Sequence, residues 1–249
     1  MRFVSIEEHD DDVAVVRVDR PPANAMDPGL LADAVAATEE LAAAKPRAVV
    51  LTGRPGFFSA GADLKVVPTL DADGQRAMVD GINGLCMSWY GLPRPVVCAV
   101  NGHAIAGGLV FALCADYRVA AADGRYGLTE LRAGVPYPTM AIAVVAAELS
   151  APAARRLVLR ADLVDAADLR ELGAFDEVVP NDEVLDRALV VARELGALPS
   201  SAYAAAKRRL RAPTLALAAR LQAGEADPLG DAWTDADTAS RAATILRGG

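Results

Sequence analysis

Cysteine is scarce in this chain of 249 residues: only Cys86, Cys98 and Cys114 occur. Their number is odd, they lie in apolar surroundings, and no CxxC or Cys/His spacing joins them. Neither a disulfide framework nor a zinc site is therefore expected, and reduced core thiols point to a cytoplasmic location. Basic residues are outnumbered, with 25 Lys and Arg against 33 Asp and Glu and a net charge of -8. Neutralising a nucleic acid backbone needs clustered cations, so no nucleic acid partner is expected. A small anion is still admissible, because helix-start amides and a few local cations suffice to hold one.

Long apolar runs are equally rare. The stretch from Val96 to Ala115 comes nearest, yet Asn101, His103 and the pair Gly107 and Gly108 interrupt it and Asp116 ends it. A buried strand, turn and helix fits better than a membrane span. The opening residues, MRFVSIEEHD, are charged and lack the apolar segment of a secretory signal. No metal-ligand cluster, Walker sequence or Ser/His/Asp constellation is visible, so no metal and no bound cofactor are expected.

What remains is an ordinary globular composition, 53% hydrophobic and 23% charged, with Ala-rich stretches that favour helices within an α/β fold. Residues 2 to 6 and 13 to 18 read as a β-hairpin across an acidic turn. Gly29 to Ala44 carries apolar residues at helical spacing, and RAVVLTG is the next strand. A glycine-punctuated loop, RPGFFSAGADL, leads to a helical region from Asp71 to Tyr90. The strand PVVCAV, the loop NGHAIAGG and the helix LVFALCAD then repeat the order strand, glycine loop, helix. A helix around Met140 to Leu149, another from Pro152, and a turn into a last short strand at LGAFDEVVP follow. The remainder reads as helices interrupted by Pro199, Pro213 and Pro228. No linker is visible; residues 1–195 form the expected core and 196–249 a C-terminal helical region.

The segments FSAGADLK, AVNGHAIAGG with its following helix, YGLTELRAG and LVDAADLRELGAFDEVVP together resemble the enoyl-CoA hydratase/isomerase (crotonase) family. That resemblance implies a spiral of repeated β-β-α units, an acyl-coenzyme A thioester as substrate, and assembly into a homotrimer or homohexamer. It implies an oxyanion hole made by the backbone N–H groups of Ala60 and Gly107, which would hold the charge that develops on a thioester oxygen. It also places Ala62, Asp63 and Leu64 along the adenine, with Arg20, Asn24, Lys65 and Gly108 contacting the coenzyme.

The family's hydratases hold a water between two glutamates. Here the first of these positions is Val110, and the second is Glu130 in YGLTEL. A lone carboxylate suffices for a 1,3-proton shift, because it can take a proton from C2 of a 3-enoyl thioester and return it to C4. Val110 would also dry the pocket and raise the Glu130 pKa. Tyr137, in GVPYPTM, is expected with Val110 at the acyl pocket. Isomerisation is thus the expected reaction; hydration or other enolate chemistry, and non-catalytic acyl-CoA binding, stand as alternatives. His103, Asp116, Trp89 and Tyr90 are expected to serve packing.

Overall fold

The structure, a computed structural model, describes residues 1–224 and residue 227. The N-terminal hairpin pairs β1 (Val4–His9) with β2 (Val13–Val18), and α1 (Pro28–Ala44) follows. Three β-β-α units come next. They are β3 (Ala48–Thr52), β4 (Gly56–Ser59) and α2 (Ala72–Gly91); then β5 (Val96–Val100), β6 (Gly102–Ile105) and α3 (Gly107–Leu113); then β7 (Tyr117–Ala121), β8 (Tyr126–Gly127) and α4 (Glu130–Ala133). After them run α5 (Thr139–Glu148), α6 (Ala151–Arg160), α7 (Ala166–Glu171), β9 (Glu177–Val179), α8 (Val184–Gly196), α9 (Ser200–Leu210) and α10 (Ala212–Gln222).

The first strand of each unit joins a six-stranded sheet ordered β1-β2-β3-β5-β7-β9, and the second joins a three-stranded sheet ordered β4-β6-β8. Apart from the β1–β2 hairpin, every pairing is parallel. A parallel sheet covered on both faces calls for strands apolar at every position, and β3 and β5 are buried throughout. Side chains alternate across the sheet. Val49, Leu51, Val96 and Cys98 therefore enter the large core shared with α1, α2 and α3, while Ala48, Val50, Val97 and Ala99 meet Val184, Ala188 and Ala192 of α8.

The glycine loops thus hide a second sheet. Strands β4, β6 and β8 run four, four and two residues, too short and too glycine-bearing to leave a period-2 signal. Because these strands are parallel, their C-terminal ends share one edge, and the chain leaves each of them there toward a loop or helix start.

The C-terminal helices pack on their own chain. Lys207 on α9 donates to Asp116 (2.7 Å) and to the Arg94 carbonyl (2.9 Å). Arg211 pairs with Asp116 (3.0 Å) and donates to the carbonyls of Tyr90, Cys114 and Ala115. Asp116 is thereby the structural anchor expected of it. The rest of the proposed C-terminal region, including Pro228, lies outside the described residues. Among the described residues, no helix is long and apolar enough to cross a membrane.

Candidate active site

At the shared edge of the small sheet lies a cavity of about 710 Å³, walled by Ala62, Gly107 and Glu130 together with the apolar Met26, Ile82 and Ala141. The loop after β4 and the start of α3 meet here at close range. A Cβ built on Gly61, where φ is +77°, would lie 2.9 Å from the Gly107 nitrogen, and one on Gly108 would lie 2.2 Å from the Ser59 carbonyl oxygen. Only glycine satisfies both approaches. Ala106, by contrast, carries a side chain at φ +52° immediately before α3, a conformation costly for any residue but glycine.

Several hydrogen bonds hold the first loop. Met26 N–H donates to the Gly61 carbonyl (2.7 Å), Asp63 N–H to the Met26 carbonyl (2.8 Å), and Ala60 N–H to the Ala23 carbonyl (3.0 Å). The Ser59 hydroxyl adds a donated bond to the Asn24 carbonyl (2.8 Å) and accepts from Gly61 N–H (3.2 Å). The Ala60 amide is therefore occupied, which corrects its expected place in the oxyanion hole. The amide left over is that of Ala62: like that of Gly107, it meets no acceptor among the described residues. A Cβ on Gly107 would come 4.0 Å from the Ala62 nitrogen, so the two amides approach each other across the cavity wall. Nothing in the loop's composition distinguishes Ala60 from Ala62; the pairing with residues 23–26 does.

Glu130 opens α4 and lines the cavity, with only 8% of its surface exposed. Burial pushes its pKa up to about 7, and the neighbouring Tyr137 hydroxyl opposes that rise. Glu130 Oε2 and Tyr137 Oη are both buried without completing a hydrogen bond. Tyr137 itself does not line the cavity, so its expected role in the acyl pocket is corrected to a contact on the Glu130 carboxyl. Val110 is not on the wall either; at 1% exposure it belongs to the hydrophobic core.

The residues expected to contact the coenzyme divide. Ala62 and Leu64 line the cavity, and Lys65 is exposed beside them. Asn24 is fully buried: its amide nitrogen donates to the carbonyls of Val18, Phe57 and Phe58, and its oxygen accepts from Arg20 N–H. It clamps the chain to itself, and no part of the side chain remains for a nucleotide. Arg20 is likewise held, by Asp27 (3.0 Å), Asp63 (2.9 Å) and the Ala25 carbonyl (2.9 Å). Asp63 gives its N–H to Met26 and its carboxylate to Arg20 and Lys65 N–H. Gly108 packs against Ser59 and is absent from the wall.

His103 accepts from Arg125 N–H and stacks edge-on against Phe57, while Trp89 and Tyr90 are core residues at 1% and 2% exposure, all as expected. Met26, Ile82 and three arginines, Arg132, Arg156 and Arg160, line the wall without standing out in the sequence as site residues. The last two were legible as a like-charged pair one helical turn apart.

Comparison with known proteins agrees with this architecture. The sequence pattern described as enoyl-CoA hydratase/isomerase matches residues 8–239. A Mycobacterium avium protein named "Probable enoyl-CoA hydratase echA17" is 35% identical over 228 residues, covering 89% of this chain and 87% of that protein. The crystal structure of human mitochondrial delta3-delta2-enoyl-CoA isomerase superposes with a TM-score of 0.92 at 26% identity, covering 98% of this chain and 97% of that one. An enoyl-CoA isomerase of Mycobacterium tuberculosis superposes with a TM-score of 0.81 at 30% identity, covering 88% and 95%. The chain belongs to the enoyl-CoA hydratase/isomerase family and has the crotonase fold.

Proposed function

We propose that this chain moves the double bond of a 3-enoyl-CoA thioester to the 2-position, with Glu130 carrying the proton and the Ala62 and Gly107 amides holding the enolate oxygen. The observation that carries this is the state of the carboxylates on the cavity wall. Asp162 is held by Arg132 and Arg160, which leaves Glu130 as the one acid there without an ion pair among the described residues. A proton carrier works best with a pKa near the working pH, and burial brings Glu130 to about 7. Proton removal at C2 places charge on the thioester oxygen, where the two amides stand; return of the proton to C4 completes the shift. No group of the enzyme is consumed, and no second acid is required.

Water addition asks for a second carboxylate to position the nucleophile; by the family resemblance Val110 stands in its place on α3, and the other acid on the cavity wall, Asp162, is held by Arg132 and Arg160. The hydratase name of the Mycobacterium avium relative favours hydration as the second reading. The two are separated by incubating the protein with 3-enoyl-CoA and 2-enoyl-CoA in deuterated water. Isomerisation predicts double-bond migration with label at C2 or C4, abolished in Glu130→Gln. A 3-hydroxyacyl product would replace it with hydration, and tight binding without turnover would mark a non-catalytic acyl-CoA binding protein.

A further inference from the structure

The wall of the cavity built by α4, α6 and residues 161–164 carries an excess of positive charge that proton transfer does not use. Arg132, Arg156 and Arg160 all line it, against the single carboxylate of Asp162 besides Glu130. Arg132 donates to Asp162 and to the Ala161 carbonyl, and Arg160 donates to Asp162 (2.9 Å). Arg156 has no ion pair among the described residues. Arg156 and Arg160 stand one turn apart on α6, where like charges destabilise a helix, and no acid of α6 separates them. In a chain of net charge -8, this cluster is a local reversal of sign facing a ligand cavity. Guanidinium groups grip carboxylates in two-point fashion, and the donors of Arg156 are unclaimed among the described residues.

We infer that Arg156, flanked by Arg132 and Arg160, forms an anion subsite for a carboxylate borne by the acyl group, so that the substrates are thioesters with a second acid function. This rests on the acyl-CoA reading above. The subsite is tied to the reacting end of the cavity. Glu130 and Arg132 both belong to α4 and both line this cavity, and the segment bearing Asp162 is held to the strand that precedes α4 by the reciprocal bonds of Val164 and Tyr126 (2.7 and 3.1 Å). The phosphates of coenzyme A hang at the far end of the pantetheine arm, many bonds from the thioester. An anion held on the wall that Glu130 shares therefore belongs on the acyl side.

Calorimetric titration of the full chain with glutaryl-CoA and pentanoyl-CoA, saturated thioesters of equal chain length, tests this without catalysis. Glutaryl-CoA is expected to bind at least about tenfold more tightly at low ionic strength, a difference of about 1.4 kcal/mol. Arg156→Gln should erase that preference while the melting temperature holds, since the residue is exposed and has no ion pair among the described residues. Equal affinities in the wild type, or a preference that survives Arg156→Gln, overturn the inference alone. Equal weakening of both ligands by Arg156→Gln also overturns it, assigning the arginine to the coenzyme phosphates. Failure to bind either thioester overturns the acyl-CoA reading and the subsite with it.

Discussion

The Tyr137 hydroxyl is buried against the Glu130 carboxyl, and the two groups interact without completing a hydrogen bond. The contact favours the ionised acid while burial favours the neutral one. Burial wins, leaving the pKa at about 7, and the tyrosine sets how far it rises.

Removing that hydroxyl therefore moves the acid upward. In Tyr137→Phe the acidic limb of the kcat/KM profile, expected near pH 7 in the wild type, should rise by about half a unit, less than a completed hydrogen bond would give, because the contact that favours the ionised acid is lost while burial remains. A pH–rate profile from pH 5 to 9 measures it; an unmoved or lowered limb would detach Tyr137 from Glu130.

Glu130 also imposes a pH dependence on stability. Its folded pKa, about 7, exceeds the ordinary value of 4.5, so the folded state keeps its proton to higher pH than the unfolded chain. The associated stability is complete below about pH 4.5 and is lost as pH rises through about 7. Across that window the wild type should lose up to about 3 kcal/mol relative to Glu130→Gln, whose amide does not titrate. Urea unfolding of both proteins at intervals from pH 4.5 to 8 checks the divergence; parallel curves would contradict it.

The assignment of the two amides is open to atomic replacement. Exchange of the backbone amide at Ala62 for an ester deletes one N–H and should lower kcat by about 10²- to 10³-fold. The same exchange at Ala60 deletes the bond to Ala23 and should cost about 1 kcal/mol of stability with kcat nearly intact. If the Ala60 ester is the one that stops turnover, the geometric assignment is reversed.

Asn24 should behave as a structural residue. Its side chain satisfies three carbonyls and one amide while fully buried, and its φ of +50° suits asparagine better than alanine. Asn24→Ala is expected to cost about 3 kcal/mol of stability. The affinity of the folded fraction for an acyl-CoA should change less than about twofold. Denaturant unfolding and calorimetry separate the two quantities, and a large affinity loss at unchanged stability would return Asn24 to the ligand.

Much of this was written along the chain itself. The unbroken apolar runs of β3 and β5 and the proline breaks of the helices are local, so periodicity and residue chemistry suffice to find them, whereas Glu130 and Val110 stood out through the family resemblance of the segments that carry them. Tertiary structure decided the rest. Strands β4, β6 and β8 exist only because segments about 45 and 22 residues apart in sequence lie side by side. Whether Ala60 or Ala62 keeps its amide free depends on which of them the 23–26 segment claims. Arg20 and Asn24 look like ligand contacts until the fold closes Asp27, Asp63 and three carbonyls around them. Residue type specifies what a group is able to bond, whereas its neighbours in space determine which of those bonds are already made.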